Sequence, residues 1–181
     1  MSKIGKKIIE IPAGVELVIH GSTVVVKGPK WELTHTFADG VIIQVKDNIA
    51  TTAVETEDQR NLRGLSRSLL ANMVEGVTNG YEKKLLVMGV GYAVKMEGKK
   101  FVFSIGLSHK IDFLIPESIT AQVEQDPKGN HIITLQSIDK QFLGEYAAKI
   151  KALKKPEPYK GKWIRYFGEY VKLKAGKAAK K

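Results

Sequence analysis

Apolar and polar residues alternate with a period of two through TVVVKG (Thr23–Gly28), WELTHTF (Trp31–Phe37), VIIQV (Val41–Val45) and ATTAV (Ala50–Val54). Successive strand side chains point to opposite faces, so this alternation predicts four half-buried strands. The period then changes. From Asp58 to Val74 the apolar residues Leu62, Leu65, Leu69 and Met73 are spaced three, four and four, which predicts a helix with that stripe inward. Thr56 followed by Gln59 fits a capping box, and Glu57 and Asp58 suit the positive end of the helix dipole.

The same order is written again after about eighty residues, a small-domain length. FVFSIG (Phe101–Gly106), HKIDFLI (His109–Ile115), ITAQV (Ile119–Val123) and HIITLQ (His131–Gln136) read as strands, and Asp139 to Leu153 as a helix. Its stripe is Leu143, Tyr146, Ala147, Ile150 and Leu153. Gly28 and Gly106 fall in the same turn of the two copies. Short punctuation such as GPK, ADG and KDN joins antiparallel neighbours, because parallel crossovers need a dozen or more residues. The expected fold is α+β: two tandem duplicated domains, each a small antiparallel sheet packed with one helix. The expected bounds are 1–82 and 83–155, with a basic C-terminal extension over 156–181.

Composition narrows the function. The 181 residues hold no cysteine, which removes disulfides, thiolate metal sites and cysteine nucleophiles. No apolar run approaches the roughly 20 residues that span a bilayer, and a cytoplasmic location is the simplest expectation. The four histidines are scattered among strands without helical metal spacing, and no carboxylate spacing nominates a catalytic pair. Gly89-Val90-Gly91-Tyr92 resembles the start of a dinucleotide loop, but Val94 stands where the last glycine belongs and a hairpin pattern follows. It reads as a bend where backbone comes close to something. Arg60, Arg63 and Arg67 lie opposite the leucines, and a solvated face is preferred to an RNA-facing ridge. The expectation is no enzyme, no cofactor and no metal.

Charge is informative through its placement. Residues 1–148 carry 17 basic and 17 acidic side chains, whereas residues 149–181 carry 12 and 2, so the whole net charge of +10 lies in the last 33 residues. A neutral body with one basic end is the pattern of a chain that offers that end to a polyanion. There, in KKPEPYKGKWIRY (Lys154–Tyr166), Pro156 and Pro158 stop the helix and stiffen the chain. Tyr159, Trp163 and Tyr166 alternate with Lys160, Lys162 and Arg165, which supplies flat faces for bases and cations for phosphates. Gly161 permits close backbone approach. Nucleic-acid contact is favoured over a rigid linker tucked onto the second domain. The two are compatible if Tyr159 packs inward while its neighbours reach out. The basic tail after Tyr166 is expected to order on contact.

The stretch PEPYKGKWIRY resembles the PEPYKGKGIRY signature of the universal large-subunit ribosomal protein L-six family, in its bacterial form. IPAGV (Ile11–Val15), VKGPKWEL (Val26–Leu33), LLANMVEGVTNGY (Leu69–Tyr81), GVGYAV (Gly89–Val94), GLSH (Gly106–His109) and DKQFLGEYAAKIKALKKPEPYKG (Asp139–Gly161) support it from end to end. The resemblance implies two duplicated domains, binding to large-subunit rRNA near the translation-factor platform beside the sarcin–ricin loop and stalk base, and neighbouring ribosomal proteins as further partners. Membrane and small-molecule substrate are not implied. By position it nominates Lys154, Lys155, Tyr159, Lys160, Gly161, Lys162, Arg165 and Tyr166, then Lys172 and Lys174, and more weakly Ser108 and His109; Trp163 and Lys110 join the candidates on their own chemistry, as a ring able to stack on a base and a charge able to reach phosphate. Two residues depart from the pattern: Trp163 replaces the usual glycine and Lys110 the usual proline. A free polyanion-binding module and an enzyme are the rival readings.

Overall fold

The computed structural model describes residues 3–29 and 31–176; residues 177–181, the end of the basic tail, lie outside it. The chain forms two compact units, 1–81 with 138–140, and 82–137 with 141–181. In the first, β1 (Ile9–Glu10), β5 (Val41–Lys46) and β6 (Ile49–Val54) make a sheet in the order β1-β6-β5. A second sheet joins β2 (Glu16–His20), β3 (Thr23–Lys27) and β4 (Glu32–Thr36) in chain order. The helix α1 (Arg60–Asn79) follows.

The next unit repeats the plan. Here β8 (Ala93–Glu97), β9 (Lys100–Ser104) and β10 (Ile111–Leu114) form one sheet. The other takes β7 (Tyr81–Met88), β11 (Thr120–Gln125) and β12 (His131–Ser137) in the order β11-β12-β7, and α2 (Lys140–Leu153) completes the copy. The duplication is therefore real at the level of topology, and the sheet expected in each copy resolves into two. The order β1-β6-β5 matches β7-β12-β11, and β2-β3-β4 matches β8-β9-β10. The short β1 and β2, which the alternation pattern left unassigned, complete the first copy.

Tight turns set the register. Between β5 and β6, Lys46 pairs with Ile49 across a two-residue loop, and Asp47 and Asn48 both have positive φ, 49° and 60°. That is what a type I′ hairpin demands, and Asx residues tolerate it best among residues bearing a Cβ. The β8–β9 turn uses Gly98 at φ 60° for the same purpose.

The first core gathers Ile9, Val24, Val26, Phe37 and Ala50 from strands and their flanks with Leu70, Met73, Val74 and Val77 from α1. The helix thus buries the stripe 66, 70, 73, 77, together with Val74, instead of the one through Leu65, which is 55% exposed. Its start differs as well. Thr56 makes no side-chain cap; a 3₁₀ turn over Glu57–Gln59 leads in, and the Gln59 amide donates to Asp39 O at 3.4 Å. The arginines form neither ridge nor free solvated face. Arg63 Nε donates to Thr52 O at 2.9 Å, Arg67 donates to the carbonyls of Lys7 and Ile8, and Arg60 pairs with Glu57. Two of the three staple strands and the N-terminal segment onto the helix.

Gly28 is required by space. A Cβ there would stand 2.5 Å from Val77 O and 2.8 Å from Val77 Cβ, so α1 would have to shift. Gly28→Ala is expected to destabilise the first unit by about 1–3 kcal/mol, as overpacking does, measured by urea denaturation. An unchanged midpoint would show that the helix yields freely.

Candidate nucleic-acid interface

α2 buries Leu143, Tyr146, Ala147 and Ile150, as its stripe predicts. Burial pushes the Tyr146 phenol up to about 12, and its hydroxyl donates to Leu114 O at 2.9 Å. The helix ends at Leu153, three residues before Pro156. The loop that follows is closed by its own backbone. Glu157 N–H donates to Lys162 O at 3.2 Å, Gly161 N–H to Glu157 O at 3.0 Å, and Ile164 N–H to Lys154 O at 3.1 Å. Gly161 is buried and supplies the positive φ, 65°, that this closure needs.

Beyond the loop the chain becomes β13 (Trp163–Tyr166), which pairs antiparallel with β7 and extends that sheet to β11-β12-β7-β13. Trp163 faces Met88, Ile164 Val87, Arg165 Leu86 and Tyr166 Leu85. Phe167 N–H continues the ladder to Lys84 O at 2.9 Å. Ile164 is completely buried. Part of the segment expected to be an extension is thus an integral strand, because WIRY offers one apolar side chain at the right phase to enter the core. Further on, Lys174 N–H donates to Pro158 O at 2.7 Å, bringing the last described residues back over the loop.

The aromatics divide in a way the sequence reading did not anticipate. Trp163 is half-buried with Lys154 Nζ 4.8 Å from its ring centroid. Tyr166 is half-buried with Lys151 and Lys83 at 4.6 and 5.3 Å from its ring. Tyr159, a candidate for RNA contact that could also have packed inward, is 54% exposed. The prolines around it hold the loop tip away from the sheet, whereas strand pairing pulls Trp163 and Tyr166 in.

Trp163 has φ 88°, a region where a Cβ is strained and glycine is not. The glycine usual in the resembling signature suits the backbone at this position; here an indole occupies it and lies against Lys154. In regular structure glycine is about 0.5–1 kcal/mol worse than alanine. At this φ the order should reverse: Trp163→Gly is expected to be more stable than Trp163→Ala by about 1 kcal/mol. Urea titration of the two variants checks this, and alanine equal to or better than glycine would rule the strain out.

The charges are sorted too. Of the two acids after residue 148, Glu169 is held at 2.6 and 2.8 Å by Lys151 Nζ and also accepts from Tyr166 N–H at 2.9 Å. The Lys151 ammonium first, then that backbone donor, keep its carboxyl below the usual carboxylate range. Among the described residues Lys155, Lys160, Lys162, Lys172 and Lys174 form no ion pair. Half-buried Arg165 makes no close ion pair among the described residues either, although its charge also acts on the Glu169 carboxylate, and its Nε is buried without an acceptor. Lys155, Lys160, Lys172 and Lys174 are exposed.

Lys162 also lines a cleft of about 420 Å³ formed with Gly89–Tyr92, Gln125 and Lys128–His131. The bend read at GVGY is one wall. Gly106 packs against Tyr92, where an added Cβ would lie 3.2 Å from the ring. The exposed Ser108, His109 and Lys110 follow in the β9–β10 loop. Lys128 and His131 were missed because a turn lysine and a strand histidine carry no local signature; only the sheet order β12-β7-β13 brings them to the same cleft as Lys162.

The fold is written twice, and beside its added strand β13 Lys162 and Lys128 line one open cleft. The family model for ribosomal protein L6 matches residues 11–80 and 88–167, one match for each copy. The chain is 50% identical over 182 residues to the large ribosomal subunit protein uL6 of Geobacillus stearothermophilus, covering 99% of this chain and 100% of that protein. It is 46% identical to the proteins of that name from Alkaliphilus metalliredigens and Salinispora arenicola, over 99% and 100% of this chain and the whole of each relative. The chain belongs to the ribosomal protein L6 family and is a structural, non-enzymatic constituent of the large ribosomal subunit.

Proposed function

We propose that this chain binds large-subunit rRNA near the translation-factor platform, beside the sarcin–ricin loop and stalk base, and stabilises the tertiary structure of that RNA. The observation that carries the reading is the group Lys160, Lys162 and Arg165. Among the described residues these cations make no close ion pair, and they are held on a loop and strand fixed by backbone hydrogen bonds. Phosphates are the natural partners of such an array, and preordering the cations reduces the entropy lost on binding. Lys155, Lys172 and Lys174 extend the positive surface along the same segment. Lys128 and the Ser108–Lys110 loop extend it towards the cleft. Glu157 is half-buried and Glu169 is neutralised from within, so little acidic repulsion faces an approaching phosphate. Lys154 and Tyr166 shape the site from inside, as Lys154 lies on Trp163 and Tyr166 sits between two lysines.

The address on rRNA rests on the family resemblance of PEPYKGKWIRY. A photoreactive side chain at position 160 or 165, placed in the intact chain and assembled into subunits, is expected to crosslink to rRNA of the factor platform. Crosslinks mapping only to another rRNA region, or only to protein, would defeat the placement.

A further inference from the structure

Two aromatic side chains outside the signature have no structural reason to be where they are. Phe167 is 60% exposed and Tyr170 is 89% exposed. Phe167 follows β13 directly and Tyr170 comes three residues later, after backbone tied at Phe167 and Glu169. Phe167 N–H is bonded to Lys84 O, Glu169 is tied to Lys151 and to Tyr166 N–H, and Glu169 N–H donates to Tyr166 O at 3.1 Å. The chain then returns to the loop. Lys174 N–H reaches Pro158 O, and a Leu173 methyl lies 3.5 Å from where a Cβ would stand on Gly161. Tyr159, Phe167 and Tyr170 therefore flank one short segment that also carries Lys160, Lys172 and Lys174.

We propose that Phe167 and Tyr170 are stacking platforms for unpaired bases, so that the RNA at this site presents splayed-out loop or bulge nucleotides and not only a duplex backbone. The inference rests on the rRNA-binding reading above and deepens it. Duplex RNA offers proteins phosphates and 2′-hydroxyls, for which exposed phenyl rings are useless; unpaired bases offer flat apolar faces. Exposed rings on a segment whose lysines make no ion pair among the described residues match the second target, since base stacking and phosphate neutralisation then act on adjacent parts of one nucleotide. Trp163, the aromatic that stands at the signature's glycine, is a poorer platform because Lys154 already lies on its ring. The acid within the segment is bound inward, so the surface around the rings is positive, which suits an RNA occupant.

The test is equilibrium binding of the full chain to purified bacterial large-subunit rRNA over a range of salt. Phe167→Leu and Tyr170→Leu are each expected to weaken binding by about five- to a hundredfold, the usual worth of one stacked base. The slope against log salt should stay the same, because no charge is removed. Phe167→Tyr and Tyr170→Phe should retain affinity. Thermal unfolding of the leucine variants should match the parent, since both rings are exposed. Leucine variants that bind as well as the parent, while Lys160→Ala and Lys162→Ala weaken binding, would overturn this inference and leave the proposed function standing. Failure of the parent chain to bind rRNA would overturn both.

Discussion

Replacing Ile164 with aspartate is expected to unfold the second unit while the first stays folded. Ile164 is fully buried in β13 opposite Val87, itself buried in β7. A carboxylate there would have to leave water with no cation placed to receive it, a cost of several kcal/mol. That approaches the whole stability of a small unit, about 0.05–0.15 kcal/mol per residue. Ile164→Ala should cost about 2–5 kcal/mol and Ile164→Val about 0.5–1.5 kcal/mol. Guanidinium denaturation checks the series, with loss of hydrogen-exchange protection expected in β7, β11 and β12 and not in β3 or β6. Equal stability of all three variants would mean that β13 is an appendage. The same reasoning bears on truncation. A chain ending before Lys154 loses a sheet strand along with the cations, so weakened rRNA binding by such a fragment would not by itself locate the contact.

Removing the three central cations while keeping the fold is the sharper experiment. Lys160→Ala, Lys162→Ala and Arg165→Met together are expected to weaken binding to large-subunit rRNA by on the order of 10²–10³ at moderate salt. The slope of log affinity against log salt should fall by about two to three units, close to one per lost phosphate contact. Methionine at 165 keeps the apolar stem of the arginine, which is half-buried. The folded state loses no ion pair of these residues. A weaker complex with an unchanged slope would mean that the lysines act through shape. An unchanged affinity would place the contact elsewhere.

Much of this was readable from residue order. The duplication, four strands of each copy and both helices follow from the change of period between alternation and a three-four spacing. The binding segment stood out by charge placement and by its resemblance to a family signature. What stayed hidden had physical causes. The stripe of α1 was misphased because leucines suggested Leu65 as a core residue, while Ser66, small enough to meet the sheet closely, is the buried one. Local chemistry at Thr56 and Gln59 fitted a cap, but Gln59 reaches Asp39 instead. β13 was invisible because its partner lies far back in the chain, and four residues with two aromatics and an arginine show no clear alternation. The split between half-buried Trp163 and exposed Tyr159 depends on that pairing as well.

The pairing of β13 with β7 also has a consequence in time. A ribosome making this chain delivers β7 early and β13 among the last stretches, since Trp163 and its partner Met88 are 75 residues apart (163 − 88). Throughout that interval the outer side of β7 offers unpaired amides and carbonyls, the kind of edge that recruits wrong partners. Vectorial synthesis therefore leaves that side of β7 open until β13 emerges. Closure and the positioning of Lys160, Lys162 and Arg165 are one event. A chain that lacks β13 does not carry the finished cationic face, so the proposed competence for RNA arrives only with that strand.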